Sequence, residues 1–328
     1  MNLTQNPQFR LEIAYEDHMI SSTGVIAMIN FWSNVMRILL FLATNIAVLI
    51  VASIVLSVLG VDRYISNDGL NLGSLLAFCA VFGFTGSIIS LLLSKKMAKM
   101  SARAQIINSP ANHKEKWLLD TVAQLAHKAG IKTPEVAIFP SHDANAFATG
   151  WNKNDALVAV SQGMMDRFPP NEIEAVLGHE IGHVANGDMV TLTLIQGVVN
   201  TFVMFFARIA GYAVDQFLRK DDEGEGGVGW GYYIATIIFE ILFGILASMI
   251  VMWFSRYREY KADIAGAQLV SKSDMMAALI RIKKESEVSH MPETMMAFGI
   301  NAGKRPTLGE LLASHPPLDD RIKALANS

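Results

Sequence analysis

Cysteine occurs once in the 328 residues, at Cys79, and charged residues make up only 17% of the chain. A single cysteine excludes an internal disulfide and a cysteine-rich zinc cage, so any metal must be held by His, Asp or Glu. Soluble domains carry about 25% charged residues, and a chain that is 52% hydrophobic falls short of the polar groups that cover a water-facing globule. A basic surplus is missing too. The formal net charge of −3 argues against a nucleic-acid partner. These shortages exclude an ordinary cytosolic enzyme, and the apolar content excludes a disordered chain.

What the chain has instead is apolar residues gathered into four runs. Ile38 to Leu59 and Leu70 to Leu93 carry no charge, and each reaches the ~20 residues that a helix needs to cross hydrocarbon. A buried helical pair in a soluble protein is the other reading, but its helices would show a polar stripe. Met189 to Val214 contains Gln196, Asn200 and Arg208, and Tyr232 to Phe254 contains Glu240. Both are long enough to span, and the acidic, glycine-bearing segment 215–231 between them reads as a flexible loop. Lys95, Lys96, Lys99 and Arg103 follow the second run, Arg37 precedes the first, and Arg256, Arg258 and Lys261 follow the fourth. Positive residues stay on the cytoplasmic side, so the sequence predicts four transmembrane helices in a lipid bilayer, with the linker inside each hairpin outside the cell and the chain between and after the hairpins in the cytosol.

The predicted organisation is an N-terminal extension of unassigned role (1–35), a transmembrane hairpin (36–94) and a first cytosolic part (95–188). A second hairpin (189–254) and a second cytosolic part (255–328) follow. The fold class is a mainly α membrane protein with a small β-sheet, its four transmembrane helices carrying a cytosolic α+β domain. Arg208 and Glu240 are costly in lipid. Arg208 lies seven residues before Asp215 and Glu240 eight after Tyr232, so their depths agree and a salt bridge between spans three and four is expected. The alternative is that one snorkels while the other sits in a wet cleft.

Between the two hairpins stands His179-Glu180-Ile181-Gly182-His183. On a helix, the two histidines lie one turn apart on one face and can reach one zinc ion, with Glu180 beside it. Pro169-Pro170 ends the preceding segment, and Asn171 with Glu174 fits a capping box that starts this helix. Asn186-Gly187-Asp188 interrupts it before the third span. A catalytic zinc needs a third protein ligand and an open position for water. The pattern with a third His six residues on is excluded, because that position is Met189. A carboxylate farther along remains, and Glu259 with Asp263 falls on one helical face after the fourth span. Glu259 can then bind the metal while Asp263 accepts the distal N–H of a ligand histidine; alone, such a pair reads more often as a solvated face, and the histidine motif reverses the balance. In this scheme Glu180 takes the proton of the attacking water and passes it to the leaving amine.

The sequence resembles the HtpX family of bacterial membrane zinc metalloproteases, related to the CAAX prenyl proteases among the gluzincins. The likeness is carried by Met36-Arg37-Ile38-Leu39-Leu40-Phe41-Leu42, Asn145-Ala146-Phe147-Ala148-Thr149-Gly150, His179 to His183 with Asn186-Gly187-Asp188, Trp253-Phe254-Ser255-Arg256, Glu259 with Asp263, and His315-Pro316-Pro317-Leu318. It implies an inner-membrane endopeptidase with one Zn2+ per chain and a cytosolic active site. Its substrates would be unfolded or damaged membrane proteins, handled in stress-response quality control alongside the ATP-dependent protease FtsH. It also implies Asn145 beside the substrate on an exposed strand edge, and His315 and Arg321 close to the site. The bland counterparts are a core strand around Phe147 and a plain helix start at His315. A protease trimming lipidated or signal-peptide-like tails, and a non-catalytic membrane adaptor, are the rival functions.

Overall fold

The computed structural model describes residues 39, 42–44, 46–61, 64–66, 69–218, 228–288 and 315–328. The chain divides into two compact units, Met1–Ala47 and Val48–Ser328, and the sheet, the long helices and the site belong to the second. The expectations for 1–35 and for most of the acidic loop lie outside the described residues.

Three helices among the described residues are long and apolar enough to cross a membrane: α2 (Leu72–Ala102), α6 (Asp188–Leu218) and α7 (Trp230–Leu269). The first of the four expected spans coincides with a shorter apolar helix, α1 (Leu42–Val58). After α1 comes a small antiparallel pair, β1 (Ile65–Ser66) and β2 (Gly69–Leu70). Helix α2 starts where the Asn71 side chain accepts the Ser74 N–H, and it overruns its apolar stretch to end at Arg103, which takes the left-handed conformation with φ 53°. Helix α7 overruns further. Its membrane stretch and the segment bearing Glu259 and Asp263 form one continuous rod. Exposed aromatics mark both ends of that stretch: Trp230 and Tyr233 at one, Trp253 stacked on Tyr257 at the other. Trp230 and Trp253 are 23 residues apart, about 35 Å along the helix, close to the hydrocarbon thickness plus its interfaces. Glu259 follows Trp253 by about 9 Å of helix, beyond the apolar stretch of α7.

Arg208 on α6 and Glu240 on α7 are paired at 2.7 Å, as their matched depths predict. Near the C-terminal end of α6, Asp215 is buried and accepts the N–H groups of Gly229 (2.9 Å) and Tyr232 (3.2 Å), so α6 supplies the N-terminal cap that α7 lacks.

The sheet is built from β3 (Gln105–Ile106), β4 (Glu135–Phe139), β5 (Ala146–Asn152) and β6 (Asp155–Ser161), in the order β3-β4-β6-β5. β4 and β6 run parallel; the β3-β4 and β6-β5 pairs are antiparallel. The Ala156-Leu157-Val158-Ala159-Val160 run of β6 is buried throughout, as a central strand requires, and β5 is left at the edge. The core lies between the sheet and the helices α3 (His113–Lys128), α4 (Gln162–Arg167), α5 (Pro170–Asn186), α8 (Lys272–Val288) and α9 (Leu318–Ala326). Val158, Leu118, Leu125, Leu177, Ile181, Met275 and Leu279 are all essentially inaccessible.

The motif helix α5 begins differently from the predicted capping box. Pro169 occupies the cap position without a side-chain bond, and Pro170 fills the first turn. A proline there presets φ and has no N–H to orphan, so the helix starts two residues early. Asn171 instead donates to Asp274 Oδ1 at 2.7 Å, tying α5 to α8.

Candidate metal centre

Two close approaches bring α5 and α7 together. A Cβ at Gly182 would lie 2.7 Å from the Ala265 side chain, and one at Gly266 would lie 3.0 Å from the His179 backbone nitrogen. With both positions bare, the helices cross tightly enough for Glu259 to reach the histidine pair. His179 and His183 stand edge to face with ring centroids 4.7 Å apart and Nε2 atoms 3.1 Å apart. Glu259 Oε2 is 3.7 Å from His179 Nε2, and Oε1 is 3.4 Å from His183 Nε2.

The far side of each ring is tied to a carboxylate. His179 Nδ1 lies 2.9 Å from Asp263 Oδ1, the pairing expected from the helical spacing. His183 Nδ1 lies 2.6 Å from Asp188 Oδ2. An ionised carboxylate only accepts, so each ring keeps its proton on Nδ1 and turns a bare Nε2 inward. Two imidazole nitrogens and a carboxylate thus converge on one point, and a cation there would take the place of any proton they share.

The spacing suits a small tetrahedral ion. Ligand atoms about 2.0–2.1 Å from a tetrahedral ion lie about 3.3 Å from each other, and the three separations of 3.1, 3.4 and 3.7 Å bracket that value. The His-His-Glu donor set suits zinc. Glu259 Oε2 is buried, and although His315 Nδ1 lies 2.9 Å and Arg321 Nη1 3.2 Å away, neither is aligned as a hydrogen bond to it.

Charge at the centre is balanced by its neighbours. Burial raises the Glu259 carboxyl, but His183, His315, His179 and Arg321 outweigh it and hold the group well below the usual carboxylate range. Burial likewise opposes the Asp263 carboxylate, and hydrogen bonds from Arg321 and His179 more than offset it, lowering its pKa. Burial disfavours protonated His183, yet the bonds to Asp188 and Glu259 prevail and push its pKa up to about 9. A divalent ion at Nε2 would take the place of that proton.

A cavity of about 280 Å³ opens beside the cluster. His179, Glu180, Glu259, Asn145, His315 and Arg321 line its polar side, and Met164, Val176, Met275, Leu279 and Ile282 its apolar side. All seven residues singled out in the sequence besides His183, which touches Glu259 and His179 directly, are therefore here or one bond behind it. Asn145 enters β5 with its backbone N–H donating to Ser161 Oγ at 2.9 Å and its carbonyl accepting the Ser161 N–H at 2.8 Å. Arg321 is buried and grips Asp263 with Nε at 2.8 Å and Nη2 at 2.6 Å, a two-pronged bond that sequence reasoning did not foresee. Asp188 was also missed as a partner of His183. Its signal was the left-handed Gly187 (φ 68°), which turns a carboxylate five residues on back toward the ring.

Residues 112–328 match Peptidase family M48. Protease HtpX of Alcanivorax borkumensis is 64% identical over 293 residues, covering 88% of this chain and 98% of that protein. Protease HtpX of Pseudomonas putida is 63% identical over the same length, with the same coverage. The crystal structure of S. mikatae Ste24p shares the fold, with a TM-score of 0.54 at 21% identity, covering 76% of this chain and 58% of that one. With relatives matched almost end to end, a His-His-Glu cluster and three membrane-length helices among the described residues, the chain belongs to peptidase family M48, as a membrane metalloprotease.

Proposed function

We infer that this chain hydrolyses peptide bonds of unfolded or damaged membrane proteins at one zinc ion held by His179, His183 and Glu259. The observation that carries this reading is the pair of Nδ1-anchored imidazoles whose Nε2 atoms stand 3.1 Å apart and face a carboxylate. Zinc in such a site supplies Lewis-acid activation of a water and of the scissile carbonyl. Glu180, held by its place between the histidines too far round the helix to be a ligand, borders the cavity and takes the proton of the attacking water. It then returns that proton to the leaving nitrogen. Asp263 and Asp188 orient the two rings, and Arg321 fixes Asp263. His315, close to Glu259 and largely exposed, is placed to donate to a developing oxyanion.

Substrate is held in extended form along β5, whose outer edge is unpaired among the described residues and whose first residues adjoin the cavity at Asn145. The lysines and arginines flanking the spans support a cytosolic active site, with 95–188 and 255–328 forming one catalytic domain and α1 serving as the fourth span. The family resemblance supports an inner-membrane location and a place in quality control beside FtsH.

The test is Glu180→Gln. Purified in detergent, this variant should retain stoichiometric zinc and cleave no unfolded protein, whereas His179→Ala should lose both. Cleavage at the normal rate by the glutamine variant would remove Glu180 from the reaction.

A further inference from the structure

Lys95 stands two residues beyond Leu93, the last residue of the α2 apolar run, and so lies at headgroup level. Its ammonium reaches the sheet. Nζ is 2.5 Å from Asp155 Oδ1 and 2.8 Å from Glu135 Oε1, and Lys99 one turn on also pairs with Glu135. Asp155 opens β6 straight after the two-residue turn Lys153-Asn154, so these bonds pin the tip of the β5-β6 hairpin against the helix where it leaves the bilayer. The other Asp155 oxygen accepts the indole N–H of Trp151 at 2.6 Å. Trp151 is nevertheless 45% exposed. With its one donor satisfied, the ring presents only apolar surface, which water disfavours and the membrane interface accepts. Lys153 beside it and Lys132 are exposed, and Lys132 is tied to the turn by its backbone N–H to Asn154 Oδ1 at 3.3 Å.

We propose that the β5-β6 hairpin tip, Trp151 to Lys153, is a membrane anchor that seats the Trp151 ring among the headgroups of an anionic bilayer. The bilayer is the occupant because the tip is bonded to a membrane-spanning helix at its exit level, and because the exposed lysines carry the charge that anionic lipid attracts. From the anchor, β5 runs back seven residues, about 20 Å, to Asn145 and the cavity. On the proteolytic reading above, a segment drawn from the bilayer meets the unpaired edge of β5 at the surface and is led along it to the metal.

The experiment measures depth and needs no cleavage, so it stands apart from the proteolytic assignment. The full chain carries Cys79→Ala and a nitroxide at Lys153→Cys, and is placed in nanodiscs of phosphatidylcholine with about a quarter phosphatidylglycerol. A nitroxide at Asn171→Cys, on the far end of α5 against α8, is the aqueous reference. The anchor predicts that the 153 label collides with oxygen several-fold more, relative to a nickel chelate, than the 171 label does. Adding Trp151→Ser should move the 153 label toward the aqueous value. Equal oxygen-to-nickel ratios at 153 and 171 would overturn the proposal, whether or not the second variant folds.

Discussion

His183 Nδ1 and Asp188 Oδ2 meet at 2.6 Å across Gly187, the single residue that separates the metal-site helix α5 from the membrane-length helix α6. The carboxylate that orients one ligand therefore belongs to the first turn of a span. Arg258 on α7 donates to the Asp188 carbonyl at 3.2 Å and closes the junction from the other side. The centre is thus mounted on the bundle, and its geometry depends on how α6 leaves the bilayer.

Asp188→Ala removes the acceptor for His183 Nδ1–H and frees the ring to rotate or change tautomer. Loss of such a partner lowers zinc affinity about 10–100-fold, and competition with a chromogenic chelator reads it. Asp188→Asn keeps an acceptor oxygen in place and should recover most of the loss. If both variants bind zinc as the parent does, Asp188 only begins α6.

Arg321 is the strut of the centre. It lies between Asp263 and Glu259, all three are buried, and both carboxylates are held ionised partly by its charge. Arg321→Ala leaves two buried anions without their cation, and breaking a buried pair from one side costs about 3–5 kcal/mol. Thermal unfolding of the metal-free protein in detergent should fall steeply for this variant. Arg321→Lys keeps charge without the two-pronged geometry and should fall between. An unchanged melting temperature for the alanine variant would confine Arg321 to substrate contact.

Much of this was legible in the sequence because it is written in local periods. Apolar runs longer than twenty residues marked α2, α6 and α7, and the four-residue spacings placed His179 with His183 and Glu259 with Asp263 on single faces. What escaped depends on where separate segments meet. Nothing near Arg321 in the chain indicates that it will grip Asp263, 58 residues away. Asn171 looked like a cap, but the proline beside it had already started the helix, which left its amide for Asp274. The Asp188 partnership needs the left-handed turn at Gly187, a backbone detail that spacing alone does not encode.

Acid should loosen the sheet from α2. Burial raises Glu135, but hydrogen bonds from Lys95 and Lys99 outweigh it and leave its pKa below the ordinary 4.5. Bonds from Lys95 and then Trp151 likewise lower Asp155 from 3.8. A carboxyl with a depressed folded pKa contributes stability that is present above its unfolded value and is lost as pH falls through the folded one. The tether is therefore complete at neutral pH and fades below about pH 4.5. Hydrogen exchange of β6 amides should speed up over that window. In Lys95→Met this acid-dependent component should shrink, and persistence at full size would place its origin elsewhere.

The Arg208–Glu240 pair tests whether charge in the bundle is matched by position or merely tolerated. The two groups are 2.7 Å apart on neighbouring membrane-length helices, and Arg208 also lies 5.6 Å over the Phe78 ring of α2, so three helices converge on one guanidinium. Reversing either charge alone sets two like charges against each other where little water can screen them, which costs far more than the same change at a surface. Arg208→Glu and Glu240→Arg should each reduce the yield of folded protein extracted from membranes. The double exchange restores opposite charges at matched depth and should recover most of that yield, short of the parent because the Phe78 contact is lost. A double exchange no better than the single reversals would mean that each group is held by its own surroundings rather than by the other.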